Sequence, residues 1–198
     1  MKKPFYSIVF LTITISVFAQ PHDSNTIVVT DLGTGININI GDSNINFSND
    51  FLYNHFIEKG IELAADGNYD DAIGYFSTSL LYIWDDPLAY YYRGLAYSYM
   101  EYYEKALENF NYALQLNSEH YLSLNEIGII MSKNGDTQAG KSYFEKALAI
   151  NPEYADSYLN MGITLLIELD YEHACEFIGK AKDMDNDKAK DIYLNYCY

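Results

Sequence analysis

Basic residues are scarce in this chain. Only 12 Lys and Arg stand against 28 Asp and Glu over 198 residues, a formal net charge of −16. Residues 20–120 hold just Lys59, Arg93 and Lys105. No basic stripe exists to follow a phosphate backbone, which argues against nucleic acid as a partner, and an anionic membrane surface would repel the chain. The acidity serves solubility or steers a basic partner. Cysteine is nearly absent, with Cys175 and Cys197 alone. There is no Cys-x-x-Cys, and His22, His55, His120 and His173 are far apart, so no metal site is expected. A Gly-x-Ser-x-Gly elbow and an acidic calcium loop are also missing. The reading is a non-enzymatic protein without a cofactor. One weak counter-signal is Asp31-Leu-Gly-Thr-Gly35 after the apolar Ile27-Val-Val29, which looks like a phosphate loop. The large α/β body such a loop needs has no room before the repeats begin, so it reads as a strand and turn.

What the chain does have is a glycine that returns every 34 residues: Gly60, Gly94, Gly128 and Gly162. Other positions keep the register. Ala72, Ala106, Gly140 and Ala174 follow each glycine at a fixed spacing, and Ser79, Ala113, Ala147 and Ala181 stand two helical turns further on. Small residues on one face let antiparallel helices approach closely. Phe76, Phe110, Phe144 and Ile178 lie between the paired small positions as core knobs. Breakers fall between these runs: Gly67-Asn68, Asp86-Pro87, Gly135-Asp136, Asn151-Pro152 and Asp170. Asn68, Asp86, Asp136 and Asp170 are each placed to cap the helix that follows.

This pattern resembles the tetratricopeptide repeat family, most fully in Tyr158-Leu-Asn-Met-Gly162 and in the run from Gly140 to Pro152. The resemblance implies an all-α fold, a right-handed superhelical solenoid of four helix-turn-helix units with a C-terminal capping helix. By period the units are residues 53–86, 87–120, 121–154 and 155–186, and the cap is 187–198. It also implies a concave face built by the first helix of each unit, where a protein or peptide would dock. The apolar positions on that face are Ile57, Ile61, Leu88, Tyr91, Leu95, Leu122, Ile129, Leu159 and Ile163, with Tyr99 a turn beyond. The lining reads as apolar and Tyr-rich, suited to an apolar helix or extended segment. The family's carboxylate-clamp subgroup needs Lys, Asn and Arg there, and Ile57 and Ile61 disfavour it. The alternative use of such a surface is self-association, as a structural subunit of a cell-envelope assembly.

The ends differ in composition. Lys2-Lys3, the apolar run Phe5–Phe18 and Ala19 read as an export signal over residues 1–19, giving a periplasmic or secreted protein with no membrane span after cleavage. Residues 20–52 are rich in Asn and Ile, with period two in Ile36–Ile40 and Ile45–Phe47, and read as a linker or a weak β-hairpin. A lone hairpin needs something to pack on. Ile36, Ile38, Ile40, Ile45 and Phe47 are therefore expected to cover apolar repeat surface in their own chain or in a second copy, and within one chain near Ile57, Ile61, Tyr91 and Leu95. Cys175 and Cys197 stand 11 residues either side of Asn186, at a similar height on neighbouring helices, where they are either a disulfide or two buried thiols. The export reading has a direct check. The intact mass of the chain from its native cells should lack residues 1–19, and a cytoplasmic chain beginning at Met1 contradicts it.

Overall fold

A computed structural model of the chain describes residues 27–31, 35–40 and 43–197. The export signal expected over residues 1–19 lies outside the described residues. The described chain opens with three strands, β1 (Ile27–Asp31), β2 (Gly35–Ile40) and β3 (Ser43–Ser48), paired as an antiparallel meander in the order β1-β2-β3. The register sets Ile36 opposite both Asp31 and Phe47. Strand β3 runs straight into helix α1 (Asn49–Ala65), and Ser48 is the hinge: its Oγ accepts from the Phe51 N–H at 3.2 Å and caps the helix.

Eight further helices follow: α2 (Tyr69–Ser79), α3 (Pro87–Tyr99), α4 (Tyr103–Leu116), α5 (Tyr121–Lys133), α6 (Thr137–Ile150), α7 (Ala155–Ile167), α8 (Tyr171–Asp183) and α9 (Asp187–Tyr196). They pair as α1/α2, α3/α4, α5/α6 and α7/α8, with α9 against α8. First helices also touch the next first helix, α1 with α3, α3 with α5 and α5 with α7. This is the all-α solenoid, and its core is a row of clusters rather than one ball. Tyr53, Ile57 and Phe76 centre the first cluster, Tyr91, Phe110 and Ile127 the next, and Phe144, Leu159 and Ile178 the last.

The glycines explain the period. A Cβ built on Gly94 would stand 2.7 Å from the Phe110 ring, one on Gly128 2.6 Å from Phe144, and one on Gly162 2.5 Å from Ile178. Gly60 meets Phe76 in the same way. Each first helix thus exposes bare backbone to a bulky side chain of the second helix, and those side chains are at most 1% exposed. The second-helix small residues complete the approach: a Cβ on Gly140 would meet the Gly128 carbonyl at 2.9 Å. The contact is therefore glycine against a bulky side chain, a ring in three units and Ile178 in the fourth, while Gly140 leaves room for Ser132 and the Gly128 carbonyl.

The turns inside the units also repeat. Gly67, Glu101, Gly135 and Leu169 all have positive φ, at 81°, 61°, 90° and 62°. The N–H of the next residue reaches back to close each helix, as from Tyr102 to the Tyr97 carbonyl at 2.9 Å and from Asp170 to Leu165 at 3.0 Å. Glycine serves this turn in two units only, and Glu101 and Leu169 bear the left-handed backbone at about 1–2 kcal/mol each. Asp86, Asp136 and Asp170 cap α3, α6 and α8 through their side chains. Asn68 occupies the cap position of α2 without a side-chain bond, so that part of the capping expectation is corrected. His120 caps α5 instead of a usual capping residue, its Nδ1 accepting from the Ser123 N–H at 3.3 Å.

The sheet does not lie where the sequence suggested. It touches α1, with the Phe47 and Phe51 rings 5.3 Å apart, and Ile61 stays 38% exposed. The reason is Ser48: continuous passage from strand into helix fixes the sheet at the start of α1. Cys175 on α8 and Cys197 after α9 form a disulfide, with Cα atoms 5.4 Å apart.

Glycine substitutions separate helix propensity from packing. Gly74, in α2, has nothing within 4 Å of a built Cβ. Gly74→Ala should stabilise by about 0.5–1 kcal/mol through propensity alone. Gly128→Ala gains the same propensity but drives a methyl into a fully buried ring, and overpacking of about 1–3 kcal/mol should make it the less stable protein. Thermal or urea unfolding of the two variants checks this. Equal shifts of the same sign would mean that the ring contact does not constrain the unit.

Candidate binding groove

The register places Leu95, Ile129 and Ile163 one residue after successive glycines, on α3, α5 and α7. One turn is 3.6 residues, so these side chains share a face and line up across neighbouring first helices. In the structure they converge on a cavity of about 370 Å³ together with Tyr99 and Leu159, closed on the far side by Ile192 of α9. A second cavity of about 370 Å³ adjoins it and shares Leu95 and Tyr99, with Ile61, Tyr69 and Tyr92 on its walls. Tyr99 is 68% exposed and stacks on Tyr69 at 5.2 Å, standing between the two. The remaining groove candidates go elsewhere. Ile57 is 5% exposed in the core beside Tyr53 and Phe76, and Tyr91 is 8% exposed beside Phe110. Leu88 and Leu122 pack against that second cluster.

The larger correction concerns polarity. The groove between α5 and α7 is not mostly apolar. Asn125 occupies the position three before Gly128 that Ile57, Tyr91 and Leu159 occupy before their own glycines, and it is 1% exposed. Its Oδ1 accepts from Ser157 Oγ at 2.9 Å and from Asn160 Nδ2 at 3.0 Å. One turn further on, the Thr164 hydroxyl donates to the Asn160 carbonyl at 2.9 Å and meets Ser132 Oγ at 3.0 Å. Buried polar groups of this kind persist because each finds a partner, and the partners here bridge two units. Composition could not flag them, but their repeat register could have.

Beside Asn125 stands Glu126, whose Oε1 accepts from Asn125 Nδ2 at 3.2 Å. Burial pushes its carboxyl up to about 7, the negative charge of Asp156 adds to the effect, and Lys133 opposes it. Tyr91 and Tyr154, which flank it from α3 and from the start of α7, are held above the usual tyrosine range chiefly by burial. Asp156 itself accepts from Asn186 Nδ2 at 2.7 Å. His120 is pushed below its usual range by burial, consistent with a neutral Nδ1 that accepts a capping bond. Among the described residues no group of His, Cys, Asp and Glu could hold a metal, and no helix is long and apolar enough to cross a membrane.

Comparison with known proteins agrees with this geometry. Residues 87–120, 122–154 and 143–189 each match a model of the tetratricopeptide repeat. The photosystem I assembly protein Ycf3 of Acaryochloris marina is 31% identical over 83 residues, 40% of this chain and 50% of that protein. The chain spans half or less of the first curated relatives it matches. Among solved structures, the fold is similar to TTC0263, a thermophilic repeat protein of Thermus thermophilus, with a TM-score of 0.65 at 20% identity over 72% of this chain and 82% of that one. It is also similar to PilW, a type IV pilus biogenesis factor, with a TM-score of 0.60 at 23% identity over 66% and 60%.

Glu126 carries a pH signature. Its folded pKa lies above the 4.5 of a free carboxyl, so the folded state holds the proton longer than the unfolded state. Stability should therefore fall as pH rises from about 4.5 to about 7, by on the order of 2–3 kcal/mol from this group. His120 contributes with the opposite sign, since its proton is held longer in the unfolded state. It is present in wild type and in Glu126→Gln alike, so the difference between the two isolates Glu126. That difference should grow in favour of Glu126→Gln between pH 5 and 8 in chemical unfolding. A difference independent of pH contradicts the buried carboxylate.

Proposed function

Starting from the chain's membership of the tetratricopeptide repeat family, we propose that it is a non-enzymatic scaffold that holds a protein or peptide segment in the groove between α3, α5, α7 and α9. The observation that carries this reading is the convergence of Leu95, Tyr99, Ile129, Leu159 and Ile163 on one cavity that continues into a second around Ile61. A concave site lined by apolar and aromatic side chains with a few placed polar groups is the usual form of a binding site. Tyr99 supplies a large ring with a polar tip at low entropy cost, as recognition surfaces favour. Part-exposed Asn160, held by the buried Asn125, gives the groove a fixed polar position between α5 and α7, which sets register for a docked segment more than it adds affinity.

The compartment belongs to the same proposal. Lys2-Lys3 and the apolar run to Ala19 support export, and the Cys175–Cys197 disulfide suits an oxidising compartment. Self-association within an envelope assembly remains the alternative use of the same surface, and a concentration series in light scattering separates it from a monomeric adaptor.

The reading is tested by panning a random peptide library against the folded chain and measuring the selected peptides by fluorescence anisotropy. Tyr99→Ala and Ile61→Asn remove exposed groove side chains and should leave the melting temperature within about 2 °C, because surface changes stay within about 0.5 kcal/mol. They should weaken the selected peptides about tenfold or more. Peptides that bind these variants as well as wild type would place recognition off the groove.

A further inference from the structure

Arg93 is the only arginine in the chain. It stands on α3 two residues before Leu95, about 200° round the helix, and so faces away from the groove. There it lines a separate cavity of about 540 Å³ between α3 and α4. Its position is built rather than free. Nε donates to Asn109 Oδ1 at 2.8 Å, and Nη1 donates to Ser77 Oγ at 3.1 Å, which fixes the guanidinium from α4 and α2 together. Asn109 is itself 5% exposed and donates to the Lys105 carbonyl at 2.8 Å, so it cannot swing away cheaply. The guanidinium carbon sits 5.4 Å over the Tyr90 ring, and Tyr90 stacks on Tyr112 at 5.5 Å.

A second cation shares the cavity. Lys105 Nζ lies 5.3 Å from the centres of both the Tyr97 and the Tyr102 rings. Neither Arg93 nor Lys105 enters an ion pair among the described residues, although the chain carries 28 acids. The only acid on the cavity wall is Glu108. Two cations and one carboxylate leave the wall at one net positive charge inside a chain of net charge −16.

We propose that this cavity is a binding site for a singly charged carboxylate, held by the Arg93 fork and the Lys105 ammonium, with the body of the ligand against Tyr112. Of the five guanidinium N–H groups two are used by Asn109 and Ser77, and the three that remain, one on Nη1 and two on Nη2, are donors for a planar carboxylate. Lys105 adds a point charge, and the tyrosine hydroxyls around the rim add donors. A doubly charged phosphate meets Glu108 and the negative field of the rest of the chain without a second spare positive charge, which favours the monoanion. Tyr112 is 44% exposed and is the wall that an aryl or alkyl body would cover.

The sole arginine makes the test direct, because the 15N-labelled chain gives one arginine Nε–H resonance. Acetate, benzoate, benzamide and inorganic phosphate are titrated against the full chain at constant ionic strength. The proposal expects a saturable shift of that resonance with benzoate, a weaker saturable shift with acetate, and none with benzamide. Lys105→Gln should weaken benzoate several-fold while the same resonance still reports. Arg93→Lys keeps the charge but loses the fork, and should weaken benzoate about tenfold in ligand-observed NMR. No saturable shift with either carboxylate overturns the site, as do equal shifts with benzamide. Saturation by phosphate below the benzoate concentration overturns the assignment to a monoanion. If Arg93→Lys fails to fold, the wild-type titration and Lys105→Gln decide the matter alone.

Discussion

The packing of a bare glycine backbone on a bulky second-helix side chain is the constraint on which the rest of this structure depends. Gly60, Gly94, Gly128 and Gly162 present no side chain, and Phe76, Phe110, Phe144 and Ile178 fill the space that a Cβ would occupy. Each of these side chains is worth about 1.5–3 kcal/mol when buried, and none has room to retreat. The contact fixes how closely each pair of helices lies, and Ala72, Ala106, Ala113 and Ala147 around it are fully buried for the same reason. The four contacts are alike, and successive first helices touch one another, α1 with α3, α3 with α5 and α5 with α7, along one face.

That face holds two kinds of chemistry. Around Ile61, Tyr92 and Leu95 it is apolar and aromatic. Between α5 and α7 it becomes polar, where Asn125 joins Ser157 and Asn160 and where Thr164 meets Ser132. These bonds tie the third unit to the fourth. Glu126 beside them is a half-buried carboxyl that accepts from Asn125 and is pushed up chiefly by burial.

Much of the scaffold was legible because it repeats. A glycine recurring at one spacing, small residues in step with it and aspartates at turns all act locally, so each could be read without knowing the fold. What escaped was what depends on neighbours. Asn125 keeps the register of Ile57, Tyr91 and Leu159 but differs in polarity, so a search for apolar positions passed over it. Ile57 and Tyr91 sit at groove positions by period yet are sealed by their own clusters. Glu101 and Leu169 adopt a backbone that their side chains do not advertise, imposed by the turn that Gly67 and Gly135 make freely. The site of Arg93 needed three helices to assemble, and no spacing within one of them announces it.

If local contacts repeated along the chain hold this solenoid, disturbing one of them should be felt most by its neighbours. Hydrogen–deuterium exchange of Gly94→Ala tests this most directly, since that methyl would stand 2.7 Å from the fully buried Phe110 ring. The account predicts lost protection in α3 and α4, smaller losses in α2 and α5, and native protection in α7 to α9. Uniform loss from α1 to α9 would contradict it, and so would no change at α3 and α4.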